Sequence, residues 1–147
     1  MVETIERHTT ARICGTRPRR VRVVLRYRTD DPYAVALCFP GPARLSETLA
    51  VEDGGAVDDG PQWTVGRDLL AEGRYGSTGA GDLHVRPDEE GGVLLQWRCP
   101  GSGADVRLGA AELGAFLDRT YRAVPAGRES AFVDWPQTPE EFLRRIV

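Results

Sequence analysis

The chain contains no lysine: all nineteen of its basic residues are arginine. That absence removes one function class, because a Walker-type phosphate loop depends on a lysine to reach the terminal phosphates. Histidine is nearly as scarce. His8 and His84 stand alone, and neither lies in a metal-binding or catalytic spacing. Cys14, Cys38 and Cys99 form an odd, widely spaced set without a C-x-x-C, which excludes a disulfide framework and gives no zinc pattern. Cys38 sits in an apolar run and reads as a small buried residue. No G-x-S-x-G, H-E-x-x-H or suggestive carboxylate pair occurs, so no catalysis, metal or cofactor is expected. No apolar run approaches the roughly 18 residues of a membrane helix. The opening MVETIERHTTARICG lacks the hydrophobic segment of a secretory signal, and the expected compartment is the cytoplasm.

What is present fits one soluble domain over residues 1–147, with 41% hydrophobic and 28% charged residues. The charge is segregated. Residues 1–28 carry a net +6, all of it from arginine, and the rest of the chain a net −9. This reads as a basic arm on an acidic body, able to steer an acidic partner or to close on its own body.

RVRVVLRY at 20–27 alternates strictly, with Val21, Val23, Leu25 and Tyr27 on one face and Arg20, Arg22, Val24 and Arg26 on the other. It predicts a half-buried strand. TDDP at 29–32 is turn chemistry. YAVALCF at 33–39 predicts the antiparallel partner, with Tyr33, Val35, Leu37 and Phe39 on its bulky face. Residues 46–61 are acidic, with two glycine turns, and read as an exposed excursion with a short strand at 48–51. A third strand begins at Gln62 and leads into a helical turn by Leu70. LHVRP at 83–87 alternates, with His84 and Arg86 outward. VLLQWRC at 93–99 and ADVRLG at 104–109 form another pair. From Ala110 the period changes: Leu113, Phe116, Leu117, Thr120, Tyr121 and Val124 mark an amphipathic helix of about fourteen residues. Thr138-Pro139-Glu140-Glu141 is a capping box that opens a closing helix through Phe142, Leu143 and Ile146. Strands first and helices last give an α+β class of antiparallel sheets with C-terminal helices.

Two stretches remain as binding candidates. In GRDLLAEGRYGSTGAGD (66–82) the glycines run in the reverse order of a dinucleotide fingerprint and between the wrong elements. The stretch reads as a connector, with Gly73 as a left-handed cap closing the helical turn. The other is the stripe Arg20, Arg22, Arg26 and Arg28, of the kind that neutralises phosphates. No aromatic shares its face for base stacking, and a solvated stripe paired with neighbouring acids is the alternative.

LRYRTDDPYAV (25–35), VGRDLLAEGRYGSTGAGDLHVRP (65–87), the helix 111–129 and the tail FVDW…FLRRIV resemble the SsgA-like proteins. These are cytoplasmic regulators of sporulation-specific cell division in filamentous actinomycetes. The motifs stand in order over nearly the whole chain, and an arginine-only basic set agrees with a GC-rich source. The resemblance implies a non-enzymatic protein at the division septum that recruits or controls the tubulin-like division GTPase or a related division protein. It also implies a homotrimer with a fold similar to the whirly single-stranded nucleic-acid binders. Under that reading Arg74, Tyr75 and Ser77, with the 43–61 excursion, are the contact candidates. A nucleic-acid-binding protein using Arg20, Arg22, Arg26 and Arg28 is the alternative. The chain departs from the family in its long acidic 43–61 segment, in Arg28 where acid is common, and in its arginine-rich start.

Overall fold

The computed structural model describes residues 2–15, 17–40, 62–99, 102–133 and 138–146. The 43–61 excursion and its expected strand lie outside them. Eight strands form one antiparallel sheet: β1 (Thr4–Cys14), β2 (Arg19–Arg28), β3 (Ala34–Cys38), β4 (Gln62–Gly66), β5 (Thr78–Ala80), β6 (Leu83–Pro87), β7 (Gly92–Cys99) and β8 (Ser102–Gly109). Helix α1 (Arg67–Gly73) follows β4, α2 (Ala110–Ala123) follows β8, and α3 (Pro139–Ile146) closes the chain after a 3-10 turn at Glu129–Phe132. The class is α+β, as the order of patterns predicts.

The strand order is β4-β3-β2-β1-β8-β7-β6-β5. Two four-stranded antiparallel meanders therefore meet along a β1–β8 seam; β5 to β8 follow one another within a few residues, whereas residues 39–61 separate β3 from β4. The sheet curls far enough for Trp63 of β4 to reach Trp97 of β7, with ring centroids 3.9 Å apart, and Phe39 meets the Trp63 edge at 5.1 Å. Leu25, Leu37, Val85, Leu95 and Val106 line the inner face and are fully buried. Helix α2 lays Leu113, Phe116 and Leu117 against it. Each of these side chains contributes roughly 1.5–3 kcal/mol by leaving water.

β1 is the main departure from expectation. The basic arm is an eleven-residue strand at the centre of the sheet, paired with β2 over its length and with β8 through Ala11–Cys14. Its inner face holds Ile5 and Ala11 but also Arg7 and Thr9, so the alternation that marks a half-buried strand is broken. The predicted β2–β3 pairing is present. Tyr33, however, precedes β3 and is 50% exposed rather than part of the inner face. The glycine stretch also contains a strand: β5 pairs with β6 across a two-residue turn, Gly81-Asp82, in which Gly81 takes φ 60°, a conformation that favours glycine.

Gly73 is not a left-handed cap. It is the last residue of α1, and Arg74 after it is right-handed, with φ −72°. A Cβ on Gly73 would lie 2.1 Å from Val85 Cγ1 and 2.6 Å from Val85 Cβ. The absent side chain is what lets α1 rest on β6. Gly76, by contrast, faces open space and has no positive φ. Gly73→Ala should therefore lower unfolding free energy by about 1–3 kcal/mol, and Gly76→Ala by less than about 0.5 kcal/mol. Urea denaturation of the two variants checks this, and equal effects would remove the packing role given to Gly73.

Candidate functional site

Helix α1 is set in place by Arg67. This residue opens the helix, and its N–H donates to Tyr33 O at 2.8 Å. Its side chain is only 1% exposed. One guanidinium nitrogen, Nη1, donates to the carbonyls of Thr120 (3.1 Å) and Val124 (2.9 Å), at the end of α2. The other, Nη2, donates to Glu129 Oε2 at 2.8 Å. The guanidinium carbon lies 4.0 Å from the Tyr121 ring centroid and 5.0 Å from that of Tyr27. Glu129 uses its other oxygen to accept the Gly127 N–H at 2.9 Å. The cation thus meets two carbonyls at the C-terminal end of α2, of which that of Thr120 also accepts the Val124 N–H, together with a carboxylate and two aromatic faces.

The electrostatics follow. The hydrogen bond from Arg67, aided by backbone N–H donors, holds the Glu129 carboxyl below the usual glutamate range. Burial pushes the Tyr27 hydroxyl up to about 12, against the lowering effect of Arg67, and that hydroxyl donates to Pro32 O at 3.1 Å. Burial and the bond to Asp68 raise Tyr121 as well.

With α1 fixed, its outer side forms a surface. Tyr33 lies beside its first residue and Tyr75 just past its last, and both are exposed, Tyr75 by 78%. Asp68 and Glu72 face solvent between them. Arg74 lies across Gly114 of α2, where a Cβ would sit 2.9 Å from its Nη2, and its guanidinium carbon is 5.1 Å from the Tyr75 ring centroid. Ser77 is exposed on the same turn, and Thr78 Oγ1 donates to Glu72 Oε1 at 3.4 Å. Arg74, Tyr75 and Ser77 therefore come together at one tip. Tyr33 joins this surface and was not legible as part of it.

The arginine stripe is divided. Arg20, Arg22, Arg26 and Arg28 do share the outer face of β2. Arg26 is half-buried and pairs with Glu6 of β1, while Arg28 grips Asp30 with two bonds of 2.9 and 2.8 Å. Arg20 and Arg22 stay exposed. The stripe and the α1 tip lie on opposite halves of the sheet. Among the described residues no group of His, Cys, Asp or Glu is placed to hold a metal, and no helix is long and apolar enough to cross a membrane.

The sequence model of the family described as Streptomyces sporulation and cell division protein, SsgA, matches residues 21–129. The chain belongs to this family. It is 38% identical over 116 residues to the sporulation-specific cell division protein SsgB of Saccharopolyspora erythraea, covering 78% of this chain and 72% of the relative. To SsgB of Streptomyces coelicolor it is 38% identical over 122 residues, covering 81% and 79%. A solved structure from work on SsgB mutations that correlate to longitudinal cell division during sporulation of Streptomyces coelicolor superposes with a TM-score of 0.73. It is 31% identical and covers 90% of this chain and 97% of that one. The SsgA-like sporulation-specific cell division protein of Thermobifida fusca gives a TM-score of 0.75 at 26% identity, covering 99% and 96%.

The Arg67–Glu129 pair is open to a direct test. A folded-state carboxyl held below its unfolded value adds stability above the unfolded value near 4.3, and that stability is lost as pH falls through the depressed folded value. Glu129→Gln should cost about 2–3 kcal/mol at neutral pH, the lower end for a broken buried pair, because an amide oxygen can still accept from the guanidinium. The gap to wild type should narrow as pH drops below about 4. Thermal unfolding over a pH series reads both, and a pH-independent gap would show that the charge of Glu129 is not what holds the node.

Proposed function

We propose that this chain is a non-enzymatic adaptor of sporulation-specific cell division. It recruits or controls the septum-forming machinery, with the tubulin-like division GTPase as its partner. The reading rests on family membership and on one structural observation: Tyr75, exposed by 78%, stands at the end of a helix whose position is fixed by packing. Aromatic and arginine side chains on a rigid frame are the residue types that dominate protein–protein contacts. Arg74, Tyr75 and Ser77, with Tyr33 at the other end of α1, form the proposed contact. Relatives named as sporulation-specific cell division proteins support this biological setting.

The curled antiparallel sheet with helices following it supports a fold of the whirly type, and we propose that residues 1–147 work as one domain in a homotrimer. The working place is the cytoplasmic side of the division septum. No reaction centre is part of this reading. Paired acids on Arg26 and Arg28 weigh against the nucleic-acid alternative built on the β2 stripe.

Co-sedimentation with polymers of the division GTPase from the same source tests the contact. Wild type should pellet with the polymer, and Tyr75→Ala should weaken the association by about tenfold, the loss of one well-packed aromatic anchor. Undiminished pelleting of Tyr75→Ala would move the contact elsewhere. Failure of wild type to pellet or to alter polymer mass would end the adaptor reading with this partner.

A further inference from the structure

The β1–β2 hairpin holds no acidic residue between Arg7 and Arg28. Its acids sit at the open end, where Glu6 takes Arg26 and Asp30 takes Arg28. Towards the closed end, Arg12, Arg17, Arg19, Arg20 and Arg22 are all exposed, and none has an ion-pair partner among the described residues. The register makes this more pointed. Arg12 lies directly opposite Arg20 on one side and Arg107 on the other. Like charges facing across strands cost stability. Arg107 is relieved by Asp88 and by Glu90 at 3.1 Å; among the described residues nothing does the same for Arg12 or Arg20.

We propose that this closed half of the hairpin docks an extended acidic segment of a partner protein. An acidic occupant would supply the countercharge that the described residues provide for Arg26, Arg28 and Arg107 but not here. The row from β2 across β1 to β8 spans two strand spacings, about 10 Å, the reach of three or four extended residues and short for a phosphate track. No Phe, Tyr or Trp shares the outer face of this hairpin, and its one imidazole, His8, stands opposite Val24 towards the open end. The arginine row therefore has no run of aromatics on which successive bases could stack. This surface is independent of the α1 tip, so either can fail without the other.

The test is fluorescence anisotropy of a labelled oligo-glutamate peptide against the full chain, with an oligo-thymidylate strand run in parallel. The peptide should bind at low salt and weaken as salt rises. Arg12→Gln with Arg20→Gln should weaken it by about tenfold. The charge-matched pair Arg98→Gln with Arg122→Gln should change it by less than about twofold. Circular dichroism checks that each protein is folded, and the single Arg22→Gln gives the same readout at smaller size. Tighter binding of the thymidylate strand than of the peptide would overturn the proposal in favour of a nucleic-acid surface. Equal losses in the two double variants, or no peptide binding at low salt, would overturn it outright.

Discussion

A buried guanidinium decides where the first helix of this protein can lie. Placing a lone charge in an interior costs several kcal/mol, so Arg67 constrains everything that must come to meet it. The carbonyls of Thr120 and Val124, the carboxylate of Glu129 and the rings of Tyr27 and Tyr121 come from three separate places in the chain. Moving any of them leaves a buried cation short of a partner. The end of α2, the 3-10 turn and the end of β2 are thereby tied to one point. Helix α1 starts from that point, so the tip bearing Tyr75 inherits its position.

The local sequence opposes this arrangement, which is itself informative. A cation at the first residue of a helix faces the positive end of the helix dipole. Within α1 alone Arg67 is unfavourable, and Asp68 is the residue that suits the position. The arginine is better explained by the C-terminal end of α2, where the dipole sign is reversed and the carbonyls of Thr120 and Val124 accept from it. One side chain is misplaced for its own helix and well placed for another. That mismatch separates a residue serving tertiary structure from one serving local structure.

The same logic explains what was legible in the sequence. β2, β6 and α2 declare themselves because their apolar residues return on a regular period, and β7 because its apolar run, buried from Gly92 to Leu95, is bounded by turn residues. These elements sit where the pattern puts them. β1 does not, because Arg7 and Thr9 occupy inner-face positions and only its ends look like a strand. Tyr33 has the right spacing for the β3 inner face, but the chain has not yet entered the strand there. Gly73 shows its reason only when β6 is beneath it, since the clash that forbids a side chain is with Val85, twelve residues on. Arg74, Tyr75 and Ser77 could be named from sequence because loops carry exposed polar and aromatic residues. Their shared frame could not, since it depends on Gly114 and on Arg67. The division of the arginine stripe was hidden for a related reason: Glu6 is twenty residues from Arg26, and only strand pairing brings them together.

The charge pattern on the hairpin is constrained by the core in register but not in identity. Shifting β1 by one residue would separate Arg12 from Arg20 and Arg107, yet it would also turn Ile5, Ala11 and Ile13 outward and drive Glu6 and Arg12 into the interior. Against the burial of Leu108 and Val106 beside them, the repulsion between exposed arginines is small. The register is therefore fixed from the inside. Among the described residues nothing requires the outward positions to be arginine, and a glutamine at position 12 or 20 would relieve repulsion without touching the core. Charge kept where the described fold does not ask for it is what the proposed acidic partner segment accounts for.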